Sequence, residues 1–222
     1  DHRPLLEAAF ELAKDADLIV TIGGASVGDH DLVGHVATDL GMDRAFYKIA
    51  MRPGKPLMSG RLDNAVMIGL PGNPVSAMVC GHVFVLPVIR AMLGHPPQAA
   101  PRLTAQLAAP IGPNGPREHY MRAVLGSDGL IACDRQDSSL LSVLSCANAL
   151  LIRPVGDGPR EAGQAHRVHG GAAPVDRCRG DPLADQSLDD LSDVHLQRVL
   201  RVEVVRRRPP IGHAGQQHRG ML

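Results

Sequence analysis

The chain has 222 residues, with 23 Lys or Arg balanced by 23 Asp or Glu, so its formal net charge is +0. That length accommodates one or two domains with a real core, and the balanced charge excludes the electrostatic footprint of a nucleic-acid binder or of a protein held on an anionic membrane. The longest apolar runs fall short of a membrane span and no secretory signal opens the chain, so the expected setting is cytoplasmic, with neither membrane nor nucleic acid as partner.

The four cysteines, Cys80, Cys133, Cys146 and Cys178, show no paired or regular spacing and read as scattered reduced thiols rather than disulfides or a metal site. Lysine occurs only at Lys14, Lys48 and Lys55, a skew that fits a GC-rich genome, and no Phe, Tyr or Trp follows Tyr120. The first residue is Asp1, and the chain reads as helix at once, which suggests a fragment.

Pro4 to Ala13 is amphipathic, with Leu5, Leu6, Ala9, Phe10, Leu12 and Ala13 on one side, and predicts a helix. Asp17 to Ile22 is a continuous apolar strand of the kind a parallel sheet covered on both faces requires. It runs into Gly23-Gly24-Ala25-Ser26-Val27-Gly28-Asp29-His30-Asp31, whose glycines let the backbone approach a ligand. Helix is predicted for 31–40, and strands for Arg44 to Ala50, Pro56 to Ser59 and Ala65 to Gly69. Pro74 to Leu93 reads as a long apolar helix with a possible kink at Pro87. This alternation predicts a layered α/β domain over 1–97, with ligands at the carboxyl ends of its strands.

From Pro101 the pattern changes to short strands and turns. Leu103 to Ala108, Glu118 to Val124, Leu130 to Cys133 and Ala149 to Pro154 read as strands, with a hairpin at Gly126-Ser127-Asp128-Gly129. A small all-β barrel or sandwich is expected over 101–163. After Gly163 the register breaks down, and 164–222 reads as an irregular tail: either a basic arm or a disordered or aberrant end, the second being favoured because so little apolar surface cannot offset the entropy of ordering.

The stretch Lys48 to Ala77 organises the rest. Two turns, Met51-Arg52-Pro53-Gly54-Lys55-Pro56 and Leu70-Pro71-Gly72-Asn73-Pro74, flank a short buried strand. Asn73 is placed to cap a helix that has Pro74 at its first position. A buried strand, a Gly-containing turn and a helix N-terminus together offer backbone N–H groups to an anion, and Lys48, Arg52 and Lys55 add cations. The predicted ligand is phosphorylated or oxyanionic. The bland readings stand beside this one. Lys48, Arg52 and Lys55 also fit a solvated strand edge, and Pro71, Gly72, Asn73 and Pro74 are turn-formers rather than proton donors. Asp29 and Asp31 fit either helix capping or a cation site, and Ser26 and Ser138 on their own are ordinary polar loop residues. His166, His169 and Cys178 are loosely ligand-like in spacing, but follow the composition of the tail.

The motifs GGASVGDHD, FYKIAMRPGKP and GLPGNPVSA, in this order and spacing, resemble the molybdopterin molybdenumtransferases (the MoeA and gephyrin E-domain family). Downstream, REHYMRAVL, QDSSLLSVLSCANALLIRP and GDGPREAG look like that family's small C-terminal β domain. The resemblance covers about 1–163 and implies a three-layer α/β molybdopterin-binding domain, in part, followed by a small all-β barrel-like domain. It implies insertion of molybdate into adenylylated molybdopterin with release of AMP, with Mg²⁺ as cofactor. Asp31 matches an acidic residue at the magnesium or molybdate end, and Asp1 matches another less closely. Lys48 and Arg52 match a basic pair beside the molybdate, and Pro71 and Pro74 shape the turn. Gly23, Gly24, Ser26, Gly28, Lys55, Gly72 and Asn73 fall on the ligand-binding side, and Ser138 matches a serine reaching towards the cleft. Family members carry two further N-terminal domains, one of which completes the site across a homodimer. Where the family has a last strand, this chain has Gln164-Ala165-His166-Arg167-Val168-His169. Two other functions remain to be weighed: adenylylation of molybdopterin on the same scaffold, and a non-catalytic binder of pterin phosphate or of a partner.

Overall fold

The computed structural model describes residues 2–24, 32–170 and 201–205. The chain forms α1 (Arg3–Leu12), β1 (Leu18–Ile22), α2 (Leu32–Asp39), β2 (Asp43–Tyr47), β3 (Met51–Arg52), β4 (Met58–Leu62) and β5 (Ala65–Leu70). A continuous helical stretch follows: α3 (Pro74–Cys80), a π-helical turn (Gly81–Val85) and α4 (Leu86–Met92). Then come β6 (Arg102–Gln106), β7 (Glu118–Gly126), β8 (Gly129–Ala132), α5 (Leu141–Cys146), β9 (Ala149–Arg153), β10 (Ala165–Gly170) and β11 (Arg201–Val205).

The first sheet runs β11-β1-β5-β4-β2. It is mixed rather than parallel: β1 and β5 are parallel, whereas β4 and β5 form a hairpin across Asp63 and Asn64, with Asp63 at φ 51. An acidic side chain tolerates that left-handed conformation better than most. Alternate residues of the central strands point to opposite faces. Ile19, Met58, Leu62, Ala65 and Met67 pack against Leu6 and Phe10 of α1 and Val33, Val36 and Ala37 of α2. Leu18, Val20, Ile68 and Leu70 face the other way, onto Val75 and Val79 of α3 and onto Tyr120, Leu150 and Ile152 of the second sheet. Both faces are covered, which gives three layers and accounts for the unbroken apolar runs of β1 and β5. Burying Leu6 and Phe10 stabilises the helix side by about 1.5–3 kcal/mol each. In α1 the buried side is narrower than the sequence pattern indicates, since Leu5 and Leu12 are exposed. Leu6, Phe10 and Ala13, at i, i+4 and i+7, form the one stripe that reaches the sheet.

Pro74–Met92 spans 19 residues and contains an 18-residue window of mean hydropathy 1.8, long and apolar enough by length and composition to cross a membrane, which corrects the expectation that every apolar run is too short. In this fold its inner side packs into the core between the two sheets. The helix widens just before Pro87: the Leu86 N–H bonds to Gly81 O, and the π-helical turn absorbs the donor that proline lacks.

The second sheet runs β3-β7-β9-β10-β6, with β8 on the other side of β7. Its two ends meet: Ala108 N–H donates to Leu130 O at 3.0 Å, and Leu107 bridges Leu130. This closes a small barrel around Leu107, Ala123, Leu130, Ala149, Leu151 and Val168. Gly129, at φ +114, lies where the end of β6 crosses, and a Cβ there would stand 2.7 Å from Gln106 O.

The sequence ends the β domain at Gly163, but β10 carries the sheet on through Ala165–Gly170, pairing with both β6 and β9. Its alternation is hidden because an inward position holds a histidine. His166 is buried against Asp157 (Nε2 to Oδ2, 3.2 Å), beside the inward Val168. A satisfied buried polar residue does the work of an apolar one. The expected irregular tail also gives way at β11, which pairs antiparallel with β1 from Leu18↔Val205 to Ile22↔Arg201. The remainder of that tail, Cys178 included, lies outside the described residues.

Candidate functional site

The carboxyl ends of the parallel strands β1 and β5 lie side by side, and each runs into a glycine turn. Gly23 N–H donates to Leu70 O at 3.0 Å, and Gly23 and Gly24 have φ of 84° and 70°. A Cβ on Gly72 would stand 3.2 Å from the Gly23 Cα, tight enough that the backbone of the neighbouring turn would have to give way, and the φ of Gly23 favours glycine there. Asn73 caps the helix as its sequence position predicts: its Oδ1 accepts from Ser76 N–H at 3.1 Å, with Pro74 in the first turn. The turn Pro71-Gly72-Asn73-Pro74 thus sets a helix N-terminus directly beside Gly23 and Gly24. Ser26, Gly28, Asp29 and Asp31, with Asp1, lie outside the described residues.

The cations sit on a second loop. Strand β2 ends at Tyr47, and the next residue, Lys48, has a φ of 67°, which is unusual for a non-glycine residue. Its N–H donates to Leu57 O at 2.9 Å, and Ile49 N–H donates to Lys55 O at 3.0 Å, which ties the loop into a compact turn. Conformations of this kind, held by surrounding bonds, concentrate at ligand sites. Pro53 and Gly54 are buried whereas Lys48, Arg52 and Lys55 are exposed. Gly54, at φ +113, is pressed against α3: a Cβ there would overlap Cys80 Sγ. Burial pushes that thiol up to about 12, so Cys80 is a packing residue and not a nucleophile. The Lys48 ammonium lies 4.7 Å from the centre of the Tyr47 ring. Among the described residues, no carboxylate lies within ion-pair distance of Lys48, Arg52 or Lys55.

Met51 and Arg52 also form β3, which runs parallel to Glu118 and His119 of β7, so the cation loop joins the α/β sheet to the barrel. This brings in two residues that the sequence reading did not single out. His119 is buried, and its imidazole is pushed down to about 4 by burial and then by Arg52, Arg122, Arg117 and Arg153. Arg122 is only 1% exposed; among the described residues its Nε has no partner and its Nη2 reaches Arg135 O at 3.5 Å. Burial, opposed by Cys133 and Asp137 and aided by Arg52, lowers the pKa of that guanidinium. The signal was in the sequence: an arginine inside the otherwise apolar run Tyr120-Met121-Arg122-Ala123-Val124-Leu125 is costly unless paired.

Ser138 lies on a loop fixed to the same strand. Gln136 accepts from Arg122 N–H at 3.0 Å and donates to Arg122 O at 2.9 Å. The next turn is held by Asp137, whose Oδ1 accepts from Ser139 N–H at 2.8 Å and from Ser139 Oγ at 2.9 Å. These bonds keep the Asp137 carboxyl below its ordinary value. Among the described residues no hydrogen bond joins Ser138 Oγ to Arg52 or Arg122. The structure therefore joins Gly23 and Gly24 to Pro71–Pro74, gathers Lys48, Arg52 and Lys55 on one loop, and sets Ser138 on a loop pinned at Arg122.

The described site thus brings two glycine turns and a capped helix start together, and gathers on a second loop three exposed cations with no carboxylate partner among the described residues. Among the described residues, no three His, Cys, Asp or Glu side chains converge to hold a metal. The described part of the site thus does not itself supply a magnesium centre.

Residues 1–91 match the family described as "Probable molybdopterin binding domain", and residues 104–169 match "MoeA C-terminal region (domain IV)". The chain is 34% identical over 171 residues to the molybdopterin molybdenumtransferase of Haemophilus influenzae, covering 74% of this chain and 42% of that one. It is 38% identical over 152 residues to molybdopterin molybdenumtransferase 2 of Mycobacterium tuberculosis, covering 64% and 37%. The chain thus spans less than half the length of these relatives. In fold it is similar to the molybdopterin biosynthesis MoeA protein of Pyrococcus horikoshii, with a TM-score of 0.59 and 18% identity over 77% of this chain and 40% of that one. A molybdenum cofactor biosynthesis protein of Pyrococcus furiosus gives a TM-score of 0.57 and 20% identity over 77% and 55%.

Proposed function

We propose, from the premise that this chain belongs to the molybdopterin molybdenumtransferase family and matches its molybdopterin-binding domain and domain IV, that it acts in molybdenum cofactor biosynthesis. The reaction is insertion of molybdate into adenylylated molybdopterin with release of AMP. The observation that carries this reading is the loop bearing Lys48, Arg52 and Lys55: three exposed cations without carboxylate partners among the described residues, on a backbone held by two hydrogen bonds and seated against α3.

In this reading the N–H groups of the turns that begin at Gly24 and Gly72 face phosphate oxygens, and Lys48 and Arg52 hold the incoming molybdate. Lys55 extends the positive surface. Pro71, Asn73 and Pro74 act by fixing the turn. Arg122 holds positive charge behind Arg52, while His119, kept neutral, adds none. Catalysis is electrostatic, through neutralisation of charge at molybdate and at the departing phosphate, with no covalent enzyme intermediate. The resemblance assigns Mg²⁺ to Asp31, with Asp1 less closely matched, where it would neutralise phosphate charge. Ser138 completes the side of the cleft contributed by the barrel. The same reading places the protein in the cytoplasm and, with the regions its relatives have in addition, in a homodimer.

The second reading, binding without turnover, is favoured by one observation: the chain spans 42% and 37% of the lengths of the two bacterial relatives. Adenylylation is disfavoured because a barrel matching domain IV follows the α/β domain. AMP release from adenylylated molybdopterin in the presence of molybdate separates these readings. Release that Lys48→Ala or Asp31→Asn abolishes while thermal unfolding is unchanged supports the transferase. No release from the unaltered chain, with molybdopterin still bound, leaves the binder. Near-normal release in both variants contradicts the site.

A further inference from the structure

A second polar cluster lies between α3 and the barrel, built from residues that the molybdate-site reading does not use. His169 on β10 is 3% exposed. Its Nδ1 lies 2.6 Å from Pro101 O, a carbonyl that can only accept, so Nδ1 carries the proton and Nε2 is left as a bare lone pair. That Nε2 is buried and has no partner among the described residues. An unpaired buried acceptor is costly, and so invites a ligand. The ring of His82, in the π-helical turn, lies 4.5 Å from that of His169, centre to centre. Both imidazoles border a groove of about 270 Å³, and Met78 and Leu144 line it as well.

We propose that His82 and His169 form a binding site for a borderline transition-metal ion of the Zn²⁺ or Cu²⁺ class, in the groove between α3 and β10. Imidazole ligands bind such ions through a neutral nitrogen, and a ligating histidine typically donates its other N–H to a carbonyl or carboxylate. His169 already has that arrangement, with Pro101 O as the outer partner. His82 stands beside it as the second imidazole, its ring bordering the same groove. Met78, whose thioether suits copper better than zinc, borders the same groove. Among the described residues no third His, Cys, Asp or Glu converges on this point, so water fills the remaining positions. The site is distinct from the anion-binding loop, which carries only cations.

The test is calorimetric titration of the full chain with Zn²⁺, beside long-range ¹H–¹⁵N spectra of its histidine rings. The proposal predicts that His82→Ala, at an exposed position, removes one equivalent of Zn²⁺ or weakens it about tenfold or more. His169→Ala does the same, and the double variant loses no second equivalent. In the unaltered chain Zn²⁺ moves the His169 Nε2 resonance. The proposal is overturned if the unaltered chain binds no Zn²⁺, if His82→Ala keeps every equivalent at unchanged affinity, or if His169 Nε2 does not respond. Should His169→Ala fail to fold, His82→Ala and the resonance of the unaltered chain decide the question.

Discussion

Asp157 and Arg153 anchor the polar network of the barrel. Asp157 is buried, and it accepts from Arg153 Nε, from Arg160 and from His166. Arg153, itself 1% exposed, also donates to Gly112 O at 3.0 Å and to Gly158 O at 2.7 Å. Burial alone would raise the Asp157 carboxyl, but the bonds from Arg160, Arg153 and His166 outweigh it and hold the group well below the usual carboxylate range. Removing one member of a buried pair leaves the other charge uncompensated. Asp157→Asn is therefore expected to lower unfolding stability by about 3–5 kcal/mol in denaturant titrations. Arg160→Ala costs far less, since that side chain is 44% exposed. Equal losses from the two variants would show that Arg153 is not the partner that matters.

His119 gives a pH dependence of definite sign. Its folded-state pKa is pushed down to about 4 from 6.5, so below pH 6.5 the unfolded chain takes up a proton that the folded chain refuses. Its contribution is complete above pH 6.5 and is lost as the pH falls to about 4. The loss is on the order of 3 kcal/mol by linkage. Chemical unfolding followed between pH 7 and pH 4 should show this fall, and His119→Gln should flatten it. An unchanged slope in the variant would assign the dependence to other groups.

At the scale of elements, the barrel closes only because β6 and β8 meet at Gly129. With φ at +114 and Gln106 O 2.7 Å from any Cβ, Gly129→Ala brings both backbone strain and a clash with a carbonyl that cannot move freely. The expected cost is about 1–3 kcal/mol, together with faster hydrogen exchange at Ala108, whose N–H pairs with Leu130 O. Protection at Ala108 equal to that of the unaltered chain would mean that the barrel does not depend on this crossing.

The elements differ in how legible they were in the sequence, for physical reasons. Strands β1 and β5, the turn at Asn73 and the hairpin at Ser127-Asp128 follow from local patterns that tertiary packing reinforces. Strand β10 was hidden because its inward His166 is satisfied by Asp157, a partner nine residues earlier that no periodicity reveals. The π-helical turn was legible only as a kink at Pro87. In the site, the loop at Arg52 and the turn at Gly72 stood out through their unusual composition. Their contacts with Cys80 and Gly23 did not, since both pairings are long-range. His119 and Arg122 acquire their roles only when β3 pairs with β7.

For the whole molecule, the central feature is a short segment that links the two sheets. Residues 48–55 leave β2, form β3 on the barrel and return as β4, while Gly54 rests on the helix that begins beside the glycine turns. The barrel therefore does more than pack against the α/β domain: through β7 it holds the short strand that carries Arg52. Exposed charges placed this way contribute little to stability and much to ligand capture. Lys48→Ala and Arg52→Ala should accordingly leave the melting temperature within error.

The most direct measurement is the affinity of the full chain for molybdopterin, titrated against the chain carrying Lys48→Ala and Arg52→Ala together, at low and at high salt. The charged-loop account predicts binding weakened about tenfold or more in the double variant, with a shallower salt dependence. Equal affinity and equal salt dependence in the two chains would show that the ligand binds elsewhere.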